Sequence, residues 1–187
     1  MGIDSLRAAI LGLSLLGSTA AFAQVEVKPV QNKNLGLTLA VRVTEDIAPG
    51  DYERLLQGLK DNPGKFARKI ALLDSIGGSL GEAIKMGRLL REAGFDTWVP
   101  RNSICQGTCV YLLAAGHARQ VRGYVGLHRP YFPGGDSWLA DGASRYSPAA
   151  YLREMDVPLS LLDDMGAIEP GRMRVLSTQD LARYRLD

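Results

Sequence analysis

The alternation of apolar and polar positions predicts a strand near the start of the chain. Residues 37–43 read Leu-Thr-Leu-Ala-Val-Arg-Val, the pattern of a strand with one buried face. Residues 47–51 form a turn, after which Tyr52, Leu55, Leu56 and Leu59 recur at helical spacing and make one apolar stripe. The run at residues 70–73 is wholly apolar between charged neighbours, which predicts a strand of a parallel sheet buried on both faces.

A second strand-to-helix junction follows. The strand is predicted to end at Asp74, and the chain to turn through Gly77 and Gly78. Ser79 with Glu82 three residues later has the form of a capping box that opens a helix, and Gly94 is placed to end it. The helix is expected to turn apolar and small residues inward, namely Leu80, Ala83, Ile84 and Gly87, and charged ones outward, namely Glu82, Lys85, Arg88 and Arg91.

The rest of the chain continues the alternation of strands and helices. Short strands are predicted at residues 97–99, 120–121 and 124–128, with a helix at residues 108–115. Residues 130–147 are rich in Gly, Pro, Ser and Asp, which predicts a surface loop or lid. A helix at 147–155, a break at Pro158, a short helix to Met165 and a capped final helix after Ser177 complete the pattern.

This order of elements predicts one α/β domain over residues 24–187. Strands joined through helices by connections of this length form a mainly parallel sheet with right-handed crossovers. The length suits a single domain, and the chain shows no internal repeat, low-complexity tract or linker.

The first 23 residues have the features of a cleavable signal peptide. Arg7 precedes a short apolar run at residues 8–16, and Ala21-Phe22-Ala23 is a small-x-small cleavage signal before Gln24. The run is shorter than the about 20 apolar residues that span a bilayer, so no membrane anchor is expected. A buried N-terminal helix is the alternative. The signal-peptide interpretation predicts a periplasmic or secreted protein.

The net charge bears on which partners the protein binds, and the cysteine spacing bears on whether the two cysteines form a disulfide or a metal site. The net charge of +2 comes from scattered basic residues, which gives no sign of a nucleic-acid partner. Cys105 and Cys109, four residues apart, can reach disulfide distance on a helical turn, and export favours that disulfide. Two reduced thiols, or a zinc site that adds His117 and His128, are the alternatives.

Three motifs together resemble the proteolytic subunit of the Clp protease and its periplasmic relatives in the Clp/crotonase superfamily. Residues 73–79 read Leu-Asp-Ser-Ile-Gly-Gly-Ser, residues 105–109 read Cys-Gln-Gly-Thr-Cys before an apolar helix, and residues 125–128 read Val-Gly-Leu-His. The resemblance runs from about Leu37 to the C-terminus and implies the fold of that superfamily. It also implies an oxyanion loop at Gly77 and Gly78 and a general-base histidine at His128.

The family's nucleophilic serine corresponds to Gly107, which has no side chain. Thr108 is the nearest hydroxyl, but one helical position rotates a side chain by about 100°, so its oxygen is expected to miss the carbonyl. The stretch that would hold the acid of the triad, residues 171–175, has no carboxylate, and Glu169 is the nearest one upstream.

Two functions are therefore weighed from the sequence. The first is a catalytically silent, exported protein that binds a peptide or acyl carbonyl at Gly77 and Gly78. The second is a working hydrolase in which Thr108 or Ser103 is the nucleophile and His128 the base. The resemblance also implies homo-oligomers. No cofactor and no metal are expected. No ATP-dependent unfoldase partner is expected either, because residues 148–165 are too short for the helical arm that joins rings in the Clp subunit and are broken at Pro158, and the periplasm offers no ATP.

Overall fold

The computed structural model describes residues 24–129 and 147–187. The strands of these residues are β1 (Gln24–Asn32), β2 (Gly36–Ile47), β3 (Arg68–Gly78), β4 (Asp96–Val99), β5 (Ile104–Gln106), β6 (Arg119–Val121), β7 (Tyr124–His128) and β8 (Met173–Val175). The helices are α1 (Asp51–Asp61), α2 (Leu80–Glu92), α3 (Cys109–Ala114), α4 (Pro148–Glu154), α5 (Ser160–Gly166) and α6 (Thr178–Tyr184). The predicted signal peptide and nearly all of the predicted loop or lid at 130–147 lie outside the described residues.

The described strands form one mixed sheet that divides at β3. The order β1-β2-β3-β5-β7-β8 is one path, and β4 and β6 extend a second branch from β3. The first half of β3 pairs with β4, whereas Ser75 near its end pairs with Cys105 of β5. Because β1–β2 and β7–β8 are antiparallel and the other described pairings are parallel, the prediction of a mainly parallel α/β sheet is confirmed.

The core lies on one face of this sheet. Val41, Val43, Ala71 and Leu73 are fully buried in a single cluster with the apolar residues of the helices. On the opposite face of β3, Ile70 is buried at 4% exposure, whereas Leu72 is only half-buried. The prediction that residues 70–73 are buried on both faces is therefore wrong at Leu72, because apolar composition alone does not reveal whether a second layer covers the other face.

The junction after β3 differs from its prediction. The strand does not end at Asp74 but continues to Gly78, because the pairing with β2 resumes beyond a register shift that leaves Ile76 unpaired. This shift is a β-bulge, a feature that occurs often beside functional sites. The bulge carries the strand hydrogen bonding up to Ser79, whose N–H donates to the Ile47 carbonyl at 2.7 Å.

Glu82 is buried, although the helical pattern predicted it outside. Ser79 Oγ accepts a hydrogen bond from the Glu82 N–H at 3.4 Å, which is half of the predicted capping box. The carboxylate turns instead to the Tyr52 N–H at 3.0 Å and to Lys85 Nζ at 3.0 Å. Burial raises the pKa of Glu82, but these partners outweigh burial and hold its pKa below the usual value. The side chain thus joins the starts of α1 and α2.

Other helix boundaries lie where the sequence predicts them. Gly94 has a φ of 79° just past the end of α2, the left-handed conformation that glycine adopts freely. Ser177 and Asp180 form a reciprocal capping box at α6, and the two Ser177 donors lower the pKa of the Asp180 carboxyl. Pro158 separates α4 from α5 as predicted. None of the described helices is long and apolar enough to cross a bilayer.

One arginine connects the end of α3 to the C-terminal helices. Arg119 Nη2 donates to the Ala114 carbonyl at 2.7 Å and to the Met155 carbonyl at 2.6 Å, and Nη1 donates to the Arg185 carbonyl. Burial lowers the pKa of this guanidinium. The contact holds α3 in place, and with it the turn that precedes the helix.

Candidate functional site

Three strand ends meet at one corner of the sheet. β3 ends with Gly77 and Gly78, β5 leads into the turn at Gly107, and β7 ends at His128. Because β5 pairs in parallel with both β3 and β7, the carboxyl ends of these three strands lie side by side. Ligand sites in sheets of this kind lie at the carboxyl ends of the strands.

Gly107 occupies a tight turn between β5 and α3. Its φ of 53° lies in the left-handed region, and its N–H donates to the Gly126 carbonyl at 3.0 Å. The order of strand, tight turn and helix is also the backbone arrangement of the nucleophile elbow of hydrolases.

The imidazole of His128 lies directly against Gly107. A Cβ built on Gly107 would overlap His128 Nε2 and would lie 3.0 Å from Cε1 and 3.1 Å from Cδ2. The structure therefore brings together the two residues for which the resemblance implies the nucleophile and base positions. The ring takes up the volume that any side chain at residue 107 would enter.

The hydrogen bond on the other ring nitrogen sets the tautomer. His128 Nδ1 lies 3.1 Å from the Arg129 carbonyl oxygen, which can only accept. In the neutral ring Nδ1 therefore carries the proton, and Nε2 presents a lone pair toward Gly107. This is the tautomer that a general base requires.

A carboxylate behind the imidazole is missing from the described part of the chain. The residue opposite His128 on β8 is Met173. Glu169, the nearest upstream candidate, is exposed and lies 3.9 Å from Arg172 in an ion pair. Within residues 24–129 and 147–187, the Arg129 carbonyl is the hydrogen-bond partner of Nδ1.

Thr108 points to the glycine loop. Its Oγ1 donates to the Gly78 carbonyl at 3.2 Å, which agrees with the expected rotation of this hydroxyl away from the nucleophile position. Its N–H was not singled out from the sequence, yet the nitrogen lies 2.9 Å from a Cβ built on Gly77. No described residue accepts a hydrogen bond from this N–H.

Ser103 is not brought to His128. It precedes Ile104, which pairs with Tyr124, so Ser103 lies level with Gly123, five positions before His128. At a rise of about 3.3 Å per strand residue, Ser103 therefore lies about 16 Å from His128 along the sheet. Ser103 instead lines a groove beside Asp74 and Pro100.

Gly77 and Gly78 allow a close approach of backbone segments. Their φ values are 99° and 141°. A Cβ on Gly77 would lie 2.8 Å from the Gln106 carbonyl oxygen, and one on Gly78 would overlap the Ile47 carbonyl oxygen. The Gly77 N–H already donates to Ser75 Oγ at 3.2 Å, so this amide is directed to the strand interior.

Ser75 is a supporting residue that sequence reasoning missed. It is fully buried, accepts from the Gly77 N–H and donates to the Glu45 carbonyl. A serine inside an apolar strand, two residues before a pair of glycines, was the available signal, because a buried hydroxyl requires partners.

Cys105 and Cys109 form the predicted disulfide across the Gly107 turn. Both residues are fully buried. The bond removes the two thiolates that the zinc alternative required, and the described residues contain no cluster of three or more metal-ligating side chains. The turn that carries Gly107 is thus covalently closed between β5 and α3.

Replacing both cysteines by alanine is expected to lower the free energy of unfolding by about 2 kcal/mol, because a small closed loop restricts the unfolded chain only modestly. Urea unfolding with and without reductant measures this loss of unfolding free energy. Reductant should lower the midpoint of the wild type and leave that of the double variant unchanged. Equal midpoints for the oxidised wild type and the variant would contradict the expectation.

Comparison with known proteins does not assign the chain to a family. No family model matches it. No curated protein matches it either.

Proposed function

We propose that the chain is an exported protein with the Clp/crotonase fold that binds the carbonyl group of a peptide or acyl ligand without cleaving it. The observation that carries this proposal is the contact between Gly107 and His128. The position beside the imidazole where a nucleophile would stand is held by a residue without a side chain, in the left-handed conformation of a nucleophile elbow.

The corner offers both a donor and an acceptor to such a ligand. The Thr108 N–H, in the residue directly after the turn, has no acceptor among the described residues. In acyl-transfer sites of the elbow type, the N–H of the residue after the nucleophile binds the carbonyl oxygen. The Nε2 lone pair of His128 faces Gly107, so it accepts a hydrogen bond from an amide N–H of the same ligand once the ring turns away from this glycine.

Neither hydroxyl that the sequence offered as a nucleophile is in position to attack a carbonyl group at this corner. The Thr108 hydroxyl is engaged with Gly78, and Ser103 lies about 16 Å along the sheet at the strand rise of about 3.3 Å per residue. Loss of a triad nucleophile costs about six orders of magnitude in turnover. Binding of a carbonyl group is the chemistry that remains.

Ligand binding can be followed on the two histidines of the chain. His128 lies in the site, whereas His117 Nε2 is hydrogen-bonded to the Arg91 carbonyl at 2.9 Å and serves as an internal control. A titration with blocked peptides and with acyl amides, monitored by NMR of the imidazole groups, should shift the His128 resonances and leave those of His117 unchanged. A His117→Gln variant assigns the signals. Unmoved His128 resonances throughout both series would refute carbonyl binding here.

Absence of catalysis is tested with a fluorophosphonate probe. The wild type should not be labelled, and Thr108→Ala should behave identically. Gly107→Ser should gain slow labelling once the His128 ring turns aside, because its oxygen would then face Nε2. Labelling should stay far below that of a serine peptidase, since a triad with a disabled acid loses about 10⁴-fold in turnover. Labelling of the wild type that disappears in Thr108→Ala would establish an active hydrolase instead.

A further inference from the structure

A groove of about 370 Å³ lies on the face of the sheet opposite the core cluster. Residues of β1, β2 and β3 line it, and so do Pro100 and Ser103 of the connection between β4 and β5. Its volume is that of a small-molecule site, about 300–1,000 Å³. The lining includes apolar side chains, namely Val30, Ala40 and Leu72, and charged ones, namely Glu26, Lys28, Arg42 and Asp74. The groove is distinct from the corner at His128, because Ser103 lies about 16 Å from that residue along the sheet.

The Ser103 hydroxyl is buried at this groove without a hydrogen-bond partner. The residue is only 9% exposed, and its backbone is engaged, since its N–H donates to the Pro100 carbonyl and its carbonyl accepts from the Tyr124 N–H. Within residues 24–129 and 147–187, no group is hydrogen-bonded to its Oγ. Buried hydroxyls nearly always have a partner, so an unpaired one that lines a cavity indicates the position of a ligand group.

Asp74 lies beside this hydroxyl. Its Oδ1 accepts at 3.0 Å from the N–H of Ile104, the residue directly after Ser103. The second carboxylate oxygen, Oδ2, has no partner in the described part of the chain, although the residue is half-buried. The carboxylate and the hydroxyl are not bonded to each other, which leaves two neighbouring acceptors at one end of the groove. An ammonium group, with three N–H donors, can satisfy both of them.

Arg42 places a cation on the same face as Asp74. Thr44 is the residue of β2 that pairs with Asp74, so Arg42, two residues earlier, is the diagonal neighbour of this carboxylate. The strand spacing and rise put the two Cα atoms about 8 Å apart. Arg42 forms no ion pair with Asp74 or with any other described carboxylate, because Glu26, directly opposite it on β1, pairs with Lys28 at 2.8 Å instead. The guanidinium is therefore free to bind a carboxylate of a ligand.

We infer that this groove binds a small amino carboxylate, a molecule whose ammonium group and carboxylate are joined by a short apolar linker. The ammonium group donates to Asp74 Oδ2 and Ser103 Oγ, and the carboxylate accepts from Arg42. The linker lies over Leu72, which is directly opposite Arg42 and two residues before Asp74 on the same face. A free amino acid or a short peptide with unblocked termini has this form. A nucleic acid would require an excess of cations, whereas the groove offers one free charge of each sign.

Titration of the purified protein with straight-chain amino carboxylates tests the inference by amide and imidazole NMR. The probes are glycine, β-alanine, γ-aminobutyrate and δ-aminovalerate, with butylamine and butyrate as molecules that carry only one of the two charges. The Ile104 amide, which donates to Asp74, should shift saturably, and the His128 imidazole should not move. The tightest amino carboxylate should bind about tenfold or more better than either single-charge probe. The blocked peptides used to test the corner at His128 lack both charges and should not shift the Ile104 amide.

Three substitutions remove the three ligand contacts one at a time. Ser103→Ala removes the hydroxyl, Asp74→Asn keeps an acceptor for the Ile104 N–H but removes the charge, and Arg42→Gln removes the cation. Each should weaken binding of the tightest probe by about tenfold. Ser103→Ala should leave the urea midpoint unchanged, because its hydroxyl has no bond to lose within the described residues.

Lys60→Gln is the matched control, since it removes an exposed cation of α1. This helix packs through Gly58 against Val27, whose side chain lies on the other face of β1 from Glu26 and Lys28, so binding should be unchanged. Near-UV circular dichroism shows whether Asp74→Asn keeps its fold; if it does not, Ser103→Ala and Arg42→Gln decide. The inference is overturned if no amino carboxylate shifts the Ile104 amide, if butylamine or butyrate binds equally well, or if those two variants bind like the wild type.

Discussion

Gly78→Ala is expected to lower the free energy of unfolding by about 3 kcal/mol or more, the combined cost of an overpacked contact and a strained backbone. The added methyl group would overlap the Ile47 carbonyl oxygen and lie 2.8 Å from the Ile47 nitrogen, both of them backbone atoms that cannot turn aside. The φ of 141° is also outside the conformations that alanine readily adopts. Urea unfolding of the purified variant measures the loss.

Gly81→Ala is the matched control for this change. Gly81 lies in the first turn of α2, three residues further along, and a Cβ there has no atom within 4 Å. Alanine should therefore stabilise the helix by about 0.5–1 kcal/mol. The two variants add the same methyl group to neighbouring glycines with opposite expected signs. Similar effects of both would show that the close approach of Gly78 to Ile47 is not present in solution.

Leu73→Ala should cost about 2–5 kcal/mol of unfolding free energy, because it removes a fully buried side chain from the centre of β3 and leaves a cavity. Leu73 lies in the core cluster between the sheet and the helices. Thermal and urea unfolding, both measured in dilute protein, report the change.

Leu72→Ala supplies the comparison within the same strand. This side chain lies on the face of β3 opposite the core cluster and is half-buried, so its truncation should cost about 1 kcal/mol in dilute protein. The difference between the two leucines tests which face of β3 carries the core. Equal losses would mean that both faces are covered in solution.

Much of the fold could be predicted from local patterns. The strands at residues 97–99 and 124–128, the capped helix after Ser177 and the helix break at Pro158 depend on residues close together in the chain, and each is present. β8 was missed because its three residues are all exposed and carry no alternation. β5 was missed for a similar reason, since three residues are too few to establish a period.

In the candidate site, too, the sequence could identify residues but could not predict contacts between residues that are distant along the chain. The glycines, the cysteine pair and His128 could be selected from their order along the chain, and the disulfide followed from spacing and the expected compartment. The direction of the Gly77 N–H toward Ser75 could not be predicted, because it depends on a β-bulge formed with a strand 30 residues earlier. The burial of Glu82 likewise depends on the Tyr52 N–H of α1, 30 residues away in sequence.

By itself, the sequence determined that residue 107 has no reactive atom, that two cysteines flank it, and that strands and helices alternate, because these are properties of residue identity and short-range order. The tertiary structure alone decided that the His128 ring fills the space beside Gly107 and that Leu73 is fully buried while its neighbour Leu72 is not. Both depend on strand register and layer packing, which bring together side chains that are distant along the chain, and no local pattern encodes the distance between them.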